Sequence, residues 1–172
     1  MPDVIFNGML ESYFRYRYTA IDPLGNKVPY SGVFSITGSL GHGSDPGQSR
    51  VLYVGSGIIP VSDSVNLDLV GPLEDMFGND LTFEGITLLM VKNNSPINNP
   101  SPPTIELDST ATNGIVSFYT GPPGKLRLPA GSSMMLFNPR SPYQVSADSE
   151  DILRLSNIGE STAAYQILIA GI

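Results

Sequence analysis

Turn residues interrupt this chain so often that no long helix fits between them. Gly and Pro supply 33 of its 172 residues, well above average usage, yet the segments between them are not low-complexity. No stretch longer than about eight residues keeps a clean helical stripe with caps at both ends. Period-two alternation recurs instead. Phe14, Tyr16 and Tyr18 alternate with Arg15 and Arg17, which puts the aromatics on one face of a strand and the arginines on the other. Val65, Leu67 and Leu69 alternate with Asn66 and Asp68 in the same way. Further short strands are expected at Val33–Thr37, at Val51–Val54 stopping at Gly55, and over Leu81–Val91 with a bend at Gly85. The series continues at Thr104–Leu107, Ile115–Tyr119, Lys125–Leu128, Met134–Phe137, Tyr143–Val145, Ile152–Leu155 and Ala164–Ile169.

The connectors carry turn chemistry: Pro23-Leu24-Gly25-Asn26, Gly78-Asn79-Asp80, Asn113-Gly114 and Gly121-Pro122-Pro123-Gly124. Two are longer, a Gly/Ser-rich loop over 39–48 and a Pro/Asn-rich loop over 93–103. Pro72–Phe77 suits one short helical turn. About a dozen strands at this spacing imply an all-β chain, an antiparallel β-sandwich or jelly-roll-like domain. Residues 31–172 are expected to form that domain, and residues 1–30 an N-terminal arm or edge strand. In the last strand, Tyr165, Ile167 and Ile169 share one side, and Ile167–Ile172 carries no charge. Such a strand belongs inside a sheet or under a partner, because an exposed edge of that kind invites aggregation.

The chemistry-bearing residues are sparse. There is no cysteine and a single histidine, His42, with Gly on each side. Thiolate metal sites are therefore excluded, and a Ser-His-Asp relay is not expected of a loosely held loop histidine. The carboxylates fall into three groups: Glu74, Asp75 and Asp80; Asp63 and Asp68; and Asp148, Glu150 and Asp151. The last is the best Ca²⁺ candidate but lacks calcium-loop spacing and reads better as a solvated turn. No catalytic, cofactor-binding or metal site is expected. The formal net charge is -7, with nine scattered Lys and Arg, so nucleic-acid phosphate is not an expected partner. No run of about 18 apolar residues occurs and Met1-Pro2-Asp3-Val4 lacks a signal-peptide pattern, so neither a membrane nor secretion is expected. Asn93-Asn94-Ser95 fits the glycosylation pattern formally and is taken as chance.

The densest aromatic-cationic patch is Tyr13, Arg15, Tyr16, Arg17 and Tyr18. Tyr and Arg are favoured at interface hot spots, so these five are the interface candidates. The alternative is an ordinary strand with a tyrosine-lined core face and an exposed charged face.

The C-terminal half carries a further pattern. Leu81-Thr82-Phe83 and Leu88-Leu89-Met90-Val91-Lys92-Asn93 are followed by Pro129-Ala130-Gly131, Tyr143-Gln144-Val145-Ser146, Asp151-Ile152-Leu153-Arg154-Leu155-Ser156-Asn157 and Ala164-Tyr165-Gln166-Ile167. Over about residues 65–172 this order resembles small virion structural proteins of tailed bacteriophages. The resemblance implies a capsid cement or decoration protein, a head-fibre base or a tail component. It also implies a homo-oligomer, dimer or trimer, made in the host cytoplasm and carried in the virion against the major capsid protein or other virion proteins. A second reading is a tail or fibre component whose 39–48 and 93–103 loops bind a receptor or carbohydrate. A third is a carboxylate-based hydrolase, which needs two of these acids to converge in a cleft.

Overall fold

The computed structural model describes residues 5–119 and 124–172. Met1–Val4 and the Gly121-Pro122-Pro123 part of one expected turn lie outside the described residues. Twelve strands run in order as β1 (Gly8–Ile21), β2 (Lys27–His42), β3 (Gln48–Ser49), β4 (Val51–Ile59), β5 (Ser64–Asp68) and β6 (Gly85–Asn93), then β7 (Thr104–Asp108), β8 (Lys125–Pro129), β9 (Ser133–Phe137), β10 (Tyr143–Gln144), β11 (Ile152–Asn157) and β12 (Ala163–Gly171). Among the described residues there is no helix. The expected all-β fold is realised as an antiparallel sandwich with a long hairpin attached.

One layer has the order β10-β6-β12-β4, with β9 beside β10 on the free edge of β6; the other has the order β5-β11-β7-β8. The apolar β12 lies inside its sheet, paired with β4 on one side and β6 on the other. Alternate residues of both layers meet in one core. Leu89, Val91, Ile167 and Ile169 come from the first layer, and Leu67, Ile105, Leu107, Leu153 and Leu155 from the second. Phe83, Leu69 and Ile115 plug the ends of the core from connecting segments.

Several expected elements differ. β4 does not stop at Gly55 but runs to Ile59. Gly55 and Gly57 continue the strand because aromatic rings occupy their side-chain space: a Cβ on Gly55 would lie 2.5 Å from the Tyr53 hydroxyl, and one on Gly57 2.9 Å from the Tyr165 ring. Leu81–Phe83 is not strand. Phe83 instead donates its N–H to Leu69 O and turns its ring into the core. Ile115–Tyr119 is not strand either, since Tyr119 N–H closes a turn onto Val116 O. Pro72–Phe77 is irregular rather than helical.

The reason for that last difference is a turn the chain uses twice. In Asp22-Pro23-Leu24-Gly25-Asn26 the Asp22 carboxylate accepts the N–H groups of Leu24 and Asn26 and the Asn26 side-chain amide. In Asp75-Met76-Phe77-Gly78-Asn79, Asp75 accepts the same three donors from Phe77 and Asn79. Both turns place a Gly at positive φ, Gly25 at 84° and Gly78 at 78°. Donation by the Asn side chain, and next by the Asn N–H, holds each Asp carboxyl below its ordinary range.

Two buried asparagines tie the sandwich ends together. Asn157 donates to Ile59 O, Pro60 O and Ser161 O, and accepts from Gly159 N–H. Asn93 donates to Pro103 O and Leu128 O and accepts from Ser95 N–H. Full burial of Asn93 explains why the formal glycosylation pattern around it has no acceptor to offer.

Replacing Asn157 with Ala removes the donor from three carbonyls, of which that of Ile59 is buried. This should lower the unfolding free energy by about 1–3 kcal/mol, seen as a lower urea midpoint with an unchanged slope.

Candidate interaction surface

The two layers present opposite outer faces. The outer face of the β5-β11-β7-β8 sheet is a polar ladder in which Asn66, Arg154, Asp108 and Lys125, and then Ser156, Glu106 and Arg127, lie side by side across the strands. Glu106 is buried beneath its partners: Lys125 Nζ donates at 2.5 Å and Arg127 Nε at 2.9 Å. Burial works against the Glu106 carboxylate, but the Lys125 and Arg127 bonds outweigh it and hold the carboxyl below its ordinary value of 4.5. Burial likewise opposes the Asp108 carboxylate. Bonds from Thr110 and Ser156 and the nearby Arg154 charge outweigh it and lower that carboxyl too. Tyr119 lies close by, and burial followed by the Asp108 and Glu106 charges pushes its phenol up to about 12. These acids are matched with bases and hydroxyls. They form a salt-bridged surface and not a catalytic pair with divergent proton affinities.

The outer face of the other sheet is mainly apolar, crossed by one polar row of Ser56, Gln166, Lys92 and Ser133. Leu52, Val54 and Ile58 of β4, Leu168 and Ala170 of β12, Leu88 and Met90 of β6, and Met135 and Phe137 of β9 share that face by register. Its lower part is covered by the root of the β1–β2 hairpin, where Leu40 is 4% exposed and packs with Leu88 and Ala170 against Phe6, Leu52, Phe137 and Leu168. Gly38 leaves room there for the Phe137 ring. The root is fastened from behind. Ser49 and Thr87 join hydroxyls at 2.5 Å in a buried contact, Thr87 donates onward to Ala170 O, and Gly47 N–H reaches Pro139 O.

Beyond the root the hairpin leaves the body. Its strands pair without interruption from Gly8↔Leu40 to Ile21↔Lys27, so it is about 45 Å long at the usual strand rise. From Glu11 to Thr37 every residue is exposed except Asp22 and Gly32. Register sorts the side chains onto two unlike faces. One carries Phe14, Tyr16, Tyr18, Val28, Tyr30, Phe34 and Ile36; the other carries Glu11, Tyr13, Arg15, Arg17, Lys27, Ser31, Val33, Ser35 and Thr37. The first face is an aromatic ladder. Phe14 stacks on Tyr16 at 6.2 Å, Tyr16 meets Tyr30 at 6.0 Å, and the Tyr16 ring fills the space above Gly32. Phe14 is nonetheless 66% exposed, Tyr18 67%, Tyr30 63% and Phe34 62%.

The five interface candidates are thus divided. Tyr16 and Tyr18 lie on the aromatic face, and Tyr13, Arg15 and Arg17 on the polar one. Neither face is a core face, so the reading of a tyrosine-lined core strand does not hold. The expected boundary at residues 30/31 falls inside β2, which belongs to the same hairpin as β1. Val28, Tyr30, Phe34 and Ile36 were not among the candidates, although they repeat at every second position of β2. His42 ends β2 and accepts the Phe6 N–H through Nδ1 at 3.2 Å, so it is tethered where a loose loop residue was expected.

The other expected sites resolve into structure. Asp151 is buried and accepts the Asp148 N–H at 2.6 Å, closing a turn in which Asp148 has φ 61°. Among the described residues no three His, Asp or Glu side chains converge as a metal site would require. The 93–103 loop is held down by Asn99 and Ser101, which bond Ser161 and Glu160. No family model, curated protein or solved structure matches the chain.

Two measurements follow from this geometry. The paired replacement Phe14→Ser and Phe34→Ser should leave the unfolding free energy of the dilute chain within about 0.5 kcal/mol, whereas Leu40→Ala at the root should cost about 2–5 kcal/mol. Glu106 and Asp108 have lowered carboxyls, so their contribution is present above the unfolded values and is lost as pH falls through the lower folded ones. Urea midpoints should therefore fall as pH drops below about 4.5, and Glu106→Gln should make that fall shallower.

Proposed function

We propose that this chain is a structural protein of a tailed-bacteriophage virion, a cement or decoration protein that stabilises the head shell through protein–protein contacts. One observation carries the reading: an amphipathic hairpin reaches past its own sandwich and holds a row of aromatic side chains in water. Monomeric proteins seldom expose contiguous apolar patches above about 300–600 Å² unless a partner covers them. The seven apolar side chains of this face expose on the order of 600 Å² at the usual size of buried aromatic residues. The virion as the setting rests on the resemblance of residues 65–172 to phage structural proteins. Two residues of that pattern, Asn93 and Asn157, are the buried asparagines that tie the sandwich ends, which fits a shared framework.

The action would be mechanical. Covering about 600 Å² of apolar surface is worth about 15 kcal/mol gross at ~25 cal/mol per Å², and association itself costs roughly 4–15 kcal/mol. A single clamp is therefore of modest net strength. Many identical clamps around a closed shell would add up to a firm one. The salt-bridged polar ladder on the opposite sheet would face solvent and keep the loaded particle soluble.

Purified tailed-phage particles produced with this chain should contain it in fixed ratio to the major shell protein, with density for the hairpin lying on a neighbouring subunit. Particles stripped of it should rebind the full chain, and the Phe14→Ser/Phe34→Ser chain at least tenfold less tightly. Absence of the chain from the particle overturns the proposal.

A further inference from the structure

The hairpin and the sheet it springs from diverge, and between them lies an open wedge of about 710 Å³. One wall is the outer sheet face at Val54, Met90, Met135 and Leu168; the other is the hairpin at Leu10 and Ser12. At the apex the two walls already touch, Leu40 against Leu88 and Ala170. Further out the sheet wall exposes Val54 (66%) and Ile58 (67%) on either side of one polar row, Ser56, Gln166, Lys92 and Ser133, and the hairpin wall exposes Phe14 and Phe34. One chain therefore carries two unpartnered apolar surfaces, and at the hairpin root those same two surfaces are seen to fit each other.

We propose that the distal aromatic face of the hairpin docks on the outer sheet face of a second copy, at Val54, Ile58 and Met90, so that copies join by exchanging arms. Three observations single out a second copy as the occupant. The first is continuity: the distal residues extend, in the same register and on the same face, the row that Leu40 belongs to, and that row is seated on this sheet within one chain. The second is area. A standard interface buries about 800 Å² on each partner; one arm offers on the order of 600 Å², and on the sheet face Val54, Ile58 and Met90 stand exposed to receive it. The third is charge. Within β1, β2 and their turn, Arg15, Arg17 and Lys27 oppose Glu11 and Asp22, whereas residues 43–172 carry thirteen acids against six bases. A slightly positive arm meets an acidic body with attraction, while two bodies brought together directly repel.

The arrangement stands apart from the virion reading, and the test uses the purified chain alone, so neither outcome depends on a capsid. Sedimentation at about 100 µM should show a discrete oligomer, since even a micromolar contact is populated there. An arm variant, Phe14→Asp with Phe34→Asp, and a sheet variant, Val54→Asp with Met90→Asp, should each sediment as a monomer. Mixed in equal amounts they should recover a 1:1 pair, because one intact arm then meets one intact sheet face. The native chain has no cysteine, so a second measurement is independent of those variants: donor dye on Val54→Cys and acceptor on Phe34→Cys in separate chains should show energy transfer on mixing. A native chain that stays monomeric overturns the proposal. So does an oligomer in which the mixed variants stay apart and transfer occurs between Phe34→Cys copies, which would place arms on arms. A monomer that is still found in virions would leave the cement reading standing and remove only this one.

Discussion

A β-strand has two faces, and whichever face is apolar must be sheltered from water. This constraint organises the whole molecule. The inner faces of the two layers shelter each other, and Leu89, Ile169, Leu107 and Leu155 are fully buried there. The outer face of the β5-β11-β7-β8 sheet is polar and meets water without cost. The outer face of the other sheet is mainly apolar and only half sheltered, by the hairpin root at Leu40. The hairpin itself is apolar on one side and, among the described residues, sheltered by nothing beyond that root. Two of the four apolar surfaces are satisfied within the monomer and two extend outside it.

The polar devices serve this layering. Asn93 and Asn157 gather the carbonyls where strands end and loops cross, so that the core can close without stranded backbone groups. Glu106 can lie buried on an outer face because Lys125 and Arg127 reach over it from the next strand. Arg154 Nε stands 3.9 Å from Asp108 Oδ2, within ion-pair range but beyond hydrogen-bond distance, so its role is electrostatic. None of these groups lines the wedge, whose walls combine Val54, Met90, Met135 and Leu168 with a polar row of Ser56, Lys92, Ser133 and Gln166.

The proposal of an interaction protein draws on this distribution. The 93–103 loop is pinned by its own hydrogen bonds, and the buried Glu106 and Asp108 are paired with Lys125, Arg127 and Arg154. The surfaces that remain unsatisfied are long, flat and aromatic, as protein partners prefer.

Much of the strand inventory was legible in the sequence, because alternation at Phe14–Tyr18, Val65–Leu69 and Tyr165–Ile169 reflects only the pleat of a single strand. The Pro23–Asn26 turn and the Val33–Thr37 strand were legible as well, but their union with Phe14–Tyr18 in one hairpin was not, because a boundary at residue 30 cut across β2. Other features depend on residues distant in the chain. Gly55 looks like a stop until the strand is seen to continue through Gly57 under the Tyr165 ring, and Phe83 looks like a strand residue until Leu69 captures its N–H. Which apolar faces would find cover was likewise beyond the sequence. Local periodicity fixes that a face is greasy, but only the packing of non-adjacent strands decides whether another surface lies within reach of it.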